Sequence, residues 1–170
     1  MKTILSFLLV FTTLAACGQG DKSKRPSPPA QTKETLSGGT TITIDYSQPA
    51  LKGRTIGQDI EPMEGKVWRT GANEATVFEV DKDVKVEGKD LPAGKYGLFT
   101  IVNGNEWTII FNKTWKQWGA FNYKEADDAL RVNVKATTNS PAAERMTFTI
   151  GKDGKVSLMW GDRLVVFTIN

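Results

Sequence analysis

Residues 95–112 read KYGLFTIVNGNEWTIIFN, two apolar runs joined by Asn103-Gly104-Asn105. Asparagine followed by glycine is a strong local hairpin signal, because both residues tolerate the positive φ that a short reversal needs. KYGLFTIV is apolar at odd and even positions alike, so both of its faces are buried and the strand belongs near the centre of a sheet. EWTIIFN puts Trp107, Ile109 and Phe111 on one face, most simply as core. An antiparallel sheet therefore forms the middle of the molecule.

Outward from this hairpin the period of two persists. TTITIDY, residues 40–46, sets Ile42, Ile44 and Tyr46 against Thr41, Thr43 and Asp45, as a half-buried strand should. EATVFEV at 74–80, VKVE at 84–87 and LRVNVKAT at 130–137 continue the pattern. Leu91-Pro92-Ala93-Gly94 supplies a turn, with Pro suited to its second position and Gly to its fourth. The end of the chain reads as a meander: RMTFTI, a turn at Asp153-Gly154, KVSLMW, a second turn at Gly161-Asp162, then RLVVFTIN. Only residues 122–129 look helical, with Asn122 as N-cap and Glu125 reaching back to it. Nine or ten strands and one short helix predict an all-β fold, an antiparallel β-sandwich, with a closed β-barrel as the alternative.

The N-terminus has a different character. Lys2, an apolar run from Ile4 and the small residues Ala15 and Ala16 form a signal peptide over residues 1–16. The run is shorter than the roughly 20 residues a spanning helix requires. Leu14-Ala15-Ala16-Cys17 resembles the lipobox of bacterial lipoproteins, in which the cysteine is lipidated and becomes the mature N-terminus. Cys17 is the only cysteine, so no internal disulfide competes for it. The resemblance implies a membrane partner through acylated, palmitate-type Cys17, and a place in the cell envelope outside the cytoplasm. Residues 17–39 are rich in Gly, Ser, Pro, Lys and Thr, which predicts a flexible linker ahead of one domain at 40–170.

Charge narrows the partners. Residues 1–35 hold five of the 22 Lys and Arg but only two of the 19 Asp and Glu, so the remainder of the chain is balanced. The basic pI reflects the N-terminal segment and is no nucleic-acid footprint. Chemistry is narrowed further by the absence of histidine. Zinc, copper and haem sites of the usual kind lack ligands, and Ser-His-Asp or Cys-His catalysis lacks a base. The domain shows no Ser-x-x-Lys pairing, P-loop or GxGxxG. No catalytic residue, cofactor or metal is therefore assigned. Asp81-x-Asp83 lacks the rest of a calcium loop. The carboxylates Asp59, Glu61, Glu64, Glu74, Asp127 and Asp128 leave a carboxylate-based hydrolase as the last-ranked option.

VWRTGANEAT, residues 67–76, is the densest polar motif. Thr70 to Asn73 reads as a tight turn, yet an exposed turn needs neither the ring of Trp68 nor the five-donor fork of Arg69. Trp115 and Trp118 lie in a polar, non-alternating segment, suited either to a sugar-binding surface or to plugging one end of the sandwich. Tyr46-Ser47-Gln48-Pro49, Lys52-Gly53-Arg54, residues 67–76, residues 91–99 and Trp118-Gly119-Ala120-Phe121 together resemble the DUF2911 family of bacterial secreted proteins. That resemblance spans about residues 40–150 and beyond, and it implies a localisation without an activity. The expected site has Arg69 binding an anionic or hydroxylated group, Asn73 and Glu74 hydrogen-bonding it, Trp68 or Trp118 stacking on it, and Tyr46 beside them. The ligand class is a glycan or envelope component, with a structural or partner-binding envelope module as the alternative.

Overall fold

The computed structural model describes residues 21–170. Residues 1–16 and Cys17 lie outside that range. Ten strands follow in order: β1 (Pro29–Thr35), β2 (Thr41–Ser47), β3 (Thr76–Val80), β4 (Val84–Val86), β5 (Lys89–Leu91), β6 (Gly94–Asn103), β7 (Glu106–Asn112), β8 (Asp128–Lys135), β9 (Thr137–Ile150) and β10 (Lys155–Thr168). Six of them make one antiparallel sheet in the order β1-β2-β3-β6-β7-β8. β9 and β10 form a long hairpin, and β4 and β5 a short one. Backbone hydrogen bonds between Lys85 and Asn170, and from Glu87 N to Thr168 O, join the short hairpin to the end of β10. The two layers make an antiparallel β-sandwich, and no sheet closes into a barrel.

The alternation seen in the sequence decides which side chains meet between the layers. Ile42, Ile44, Phe78, Leu98, Ile109 and Phe111 of the six-stranded sheet pack on Phe148, Leu158, Val165 and Phe167 of the long hairpin. Phe111 links four strands, meeting Phe78, Tyr96 and Phe167 edge-on at centroid distances of 5.0, 6.3 and 6.0 Å. Burying one such ring contributes roughly 1.5–3 kcal/mol. As the two-faced apolar run predicts, β6 lies inside the sheet and is also covered on its outer face. There Ala75, Phe99 and Ile110 form a second cluster with Val67, Ile101, Ala120 and Tyr123.

Three local expectations are corrected. The stretch expected as linker contains β1, which pairs with β2 from Pro29↔Ser47 to Thr35↔Thr41. Its alternation of polar and small residues suits an edge strand with one wet face. The helix expected at 122–129 is a single 3-10 turn at Glu125–Asp127, after which the chain enters β8 at once. Asn112 Nδ2 donates to both Lys124 O and Asp128 Oδ1, which ties the segment to β7 before a helix can propagate. The turn expected at Gly161-Asp162 is absent, and β10 runs straight through it. Gly161 has φ +58°, and the register shifts on either side of it leave extra residues on β9 instead of reversing β10.

Candidate functional site

The motif at residues 67–76 is an excursion from a ladder and not a hairpin end. Trp68 pairs with Thr100 of β6 through N–H···O bonds of 2.8 and 2.9 Å, and Thr76 pairs with Leu98. The eight-residue step from Trp68 to Thr76 thus advances only two positions along β6. Residues 69–75 loop out and return. Thr76 closes the loop by donating from its N to Arg69 O at 3.2 Å and from its Oγ1 to Thr70 O at 2.7 Å. Trp68 Nε1 donates to Gly71 O at 3.0 Å inside it. Thr70 and Asn73 take φ of 50° and 60°, the left-handed region that lets a short loop double back.

One flank of the excursion grips the N-terminal segment. Glu74 Oε1 pairs with Lys22 Nζ at 3.1 Å, and its Oε2 accepts from Arg25 Nη1 at 2.8 Å. Partial burial pushes the Glu74 carboxyl up, but hydrogen bonds from the backbone, Lys22 and Arg25 outweigh it and hold the group below its usual range. Asn73 Nδ2 donates to Ser27 O at 3.0 Å. The same flank also holds the tryptophan segment, since Gly119 N donates to Asn73 O and Ala75 N to Gln117 O, each at 3.0 Å. The Arg25 guanidinium lies 5.8 Å from the centre of the Trp118 ring.

The other flank opens into a cavity of about 330 Å³ whose lining includes Ser27, Arg54, Asp59, Glu61, Arg69 and Trp160. Arg69 Nε is buried and has no hydrogen-bond partner among the described residues, and the same holds for Trp160 Nε1. Burial lowers the Arg69 guanidinium from its ordinary value, and the nearby Glu61 carboxylate partly offsets this. The other polar groups are partly committed. Arg54 donates to Leu51 O and Ala50 O, Asp59 Oδ2 accepts from Thr55 N, and Glu61 Oε2 accepts from Met63 N. Trp160 stacks on Trp68 at 5.7 Å with an interplanar angle of 17°, giving the cavity a rigid aromatic wall.

A family model described as "Protein of unknown function (DUF2911)" matches residues 27–169. The chain belongs to the DUF2911 family. No curated protein and no solved structure matches it. The match begins two residues before β1, so the edge strand at Pro29–Thr35 is part of the DUF2911 domain.

Within this DUF2911 domain the six expected site residues do not converge on one cavity, since Tyr46 and Glu74 line a separate one of about 170 Å³. Arg69 lines the 330 Å³ cavity. Trp68 is 2 % exposed, so its face is closed to a ligand and it serves as the cavity's inner wall. Tyr46 is buried, and its hydroxyl accepts from Phe148 N at 3.2 Å to tie the two layers together. Asn73 and Glu74 bind the N-terminal segment. Trp118 bridges Glu74 through the backbone and exposes its ring beside Arg25. The division follows from the excursion, whose tight return turns Arg69 and Glu74 to opposite flanks.

Ser27, Arg54 and Trp160 were not singled out from sequence. Arg54 stood inside a run shared with the family, and Trp160 stood only as the last residue of the expected strand KVSLMW. The remaining acidic candidates are also partnered: Glu64 Oε1 accepts from Gly104 N, Asp81 Oδ1 from Thr41 N, Asp83 Oδ1 from Ala93 N and Asp127 Oδ2 from Thr114 Oγ1. Asp128 accepts from Tyr123 and Arg131, and desolvation beside this carboxylate pushes the Tyr123 phenol up to about 12. Among the described residues no group of three or more His, Cys, Asp or Glu is placed to hold a metal. A larger groove of about 490 Å³ runs past Asp83, Lys85, Asp90 and Asn170. Its charged side chains are already taken, Lys85 by Asp90 and Asp83 by the turn.

Proposed function

We propose that this DUF2911 domain is a ligand-binding module of the cell envelope, tethered by lipidated Cys17, and that its ligand is a glycan or envelope fragment held in the Arg69 cavity. The observation that carries this reading is the buried, unpartnered Arg69 Nε, with Trp160 Nε1 also unpartnered, both in residues lining one cavity. A buried donor left unpaired costs about 1–3 kcal/mol, which a ligand oxygen would recover. Arg54 and Arg69 face Asp59 and Glu61 in the same lining, so the charges are balanced. A neutral hydroxyl suits such a wall, because it accepts from a guanidinium and donates to a carboxylate.

The test is a glycan and envelope-fragment binding screen of wild type against Arg69→Ala, with folding matched by circular dichroism. Wild type binds a member of the panel, and the variant binds it about tenfold or more weakly, the equivalent of ~1.4 kcal/mol. No binding by wild type, or equal binding by both proteins, would count against the cavity. A second reading, a partner-binding envelope module without small ligand, is favoured by the exposure of Trp118 at 53 % and Phe121 at 85 %. The hydrolase ranks last, because Asp59 and Glu61 each spend an oxygen on a local backbone N–H.

A further inference from the structure

The two exposed large apolar side chains among the described residues, Trp118 and Phe121, lie three positions apart in one segment. That segment, residues 113–124, reads KTWKQWGAFNYK and contains three lysines and no carboxylate. Lys113, Lys116 and Lys124 are exposed, and none of them is in an ion pair among the described residues. Beside it runs the N-terminal segment with Lys22, Lys24 and Arg25, clamped through Glu74 and with Arg25 over the Trp118 ring. An exposed aromatic pair with cations in its own segment and in the one beside it is the composition of a membrane-interface contact: rings settle among headgroups and cations face anionic lipid.

The tether sets the distance. Cys17 precedes Asp21 by four positions. At no more than ~3.6 Å per residue, this stretch reaches at most about 14 Å. Asp21 in turn caps the 3-10 turn at Lys22–Lys24, which is held to the domain by Glu74. A linker that is docked this close to its anchor leaves the domain no room to stand away from the bilayer.

We infer that Trp118 and Phe121 rest in the headgroup region of the membrane to which Cys17 is attached, so that the domain lies on the bilayer in one orientation. The inference rests on the lipidated-tether part of the function proposed above and is independent of the Arg69 cavity. The occupant of this surface is an anionic lipid interface, not a protein.

The experiment uses the mature, lipidated protein in vesicles of phosphatidylethanolamine and phosphatidylglycerol containing lipids brominated near the headgroup. Tryptophan emission reports contact at Trp118, because Trp68, Trp107 and Trp160 are buried and the half-buried Trp115 is replaced by Phe (Trp115→Phe) in all proteins compared. The Trp115→Phe protein is quenched, and adding Trp118→Phe removes that quenching while the protein stays bound to the vesicles. Absence of quenching in the Trp115→Phe protein, or quenching that survives the addition of Trp118→Phe, overturns the inference. Shielding of Trp118 from aqueous quenchers only after envelope proteins are added, without bromolipid quenching, would assign the surface to a protein and likewise overturn it. The mass of the N-terminal peptide separates the two failures: an unacylated Cys17 removes the tether itself, whereas an acylated Cys17 with an unquenched Trp118 removes only the docking.

Discussion

At Gly71 a Cβ would lie 2.9 Å from Thr76 Oγ1 and 3.2 Å from Ser47 O, with Met146 at 3.5 Å. Read from sequence, this glycine belonged to a turn. Its role is instead close approach, since its own φ is not in the left-handed region that Thr70 and Asn73 occupy. Gly71→Ala must therefore push apart the hydrogen bond from Thr76 that closes the excursion, or move β2. Overpacking of this kind costs about 1–3 kcal/mol. Denaturant unfolding of Gly71→Ala is expected to show a midpoint lowered accordingly at unchanged slope, and a variant as stable as wild type would contradict the packing account. Asn73 shows the reverse case. Its tolerance of positive φ was legible as turn chemistry, whereas its bond to Ser27 O depends on a segment far away in the chain.

At the scale of elements, the N-terminal segment is the least sequence-like feature. Its composition reads as linker, yet β1 joins the sheet edge and residues 22–25 are held by one carboxylate. Because the Glu74 carboxyl is held below its ordinary value of 4.5, the clamp is fully present above that pH and is lost as pH falls through the lowered value. Glu74→Gln keeps the shape and removes the charge. Trypsin is expected to cut after Lys22 and Lys24 severalfold faster in this variant at neutral pH, with the global unfolding midpoint nearly unchanged. Equal cleavage of both proteins would show that the clamp does not hold the segment. The 3-10 turn at 125–127 makes a related point. Asn122 and Glu125 suit a helix start in sequence, but the turn that forms has Lys124 at its N-cap without a side-chain cap, while Asn112 binds Asp128 from β7 and Arg131 binds it from within β8. Local propensity loses to pairing whenever a strand edge is within reach.

For the whole molecule, the proposed localisation turns on Cys17, which lies outside the described residues. Cys17→Ser is expected to move the protein from the membrane fraction to the soluble extracytoplasmic fraction, read by fractionation and immunoblot, and retention in membranes would contradict lipidation. The sequence by itself determined the all-β class and the central place of KYGLFTIV, because two-residue alternation and turn residues are local signals repeated along the chain, and its motifs carried the resemblance to the family. It also exposed the tryptophan segment as non-alternating. Only the tertiary structure decided that Arg69 and Glu74 serve opposite flanks, that Trp160 walls the Arg69 cavity, and that Tyr46 and Trp68 are core. Each of those outcomes depends on which distant strand supplies or withholds a partner, and burial of a donor is a property of the packed layers that no single strand carries.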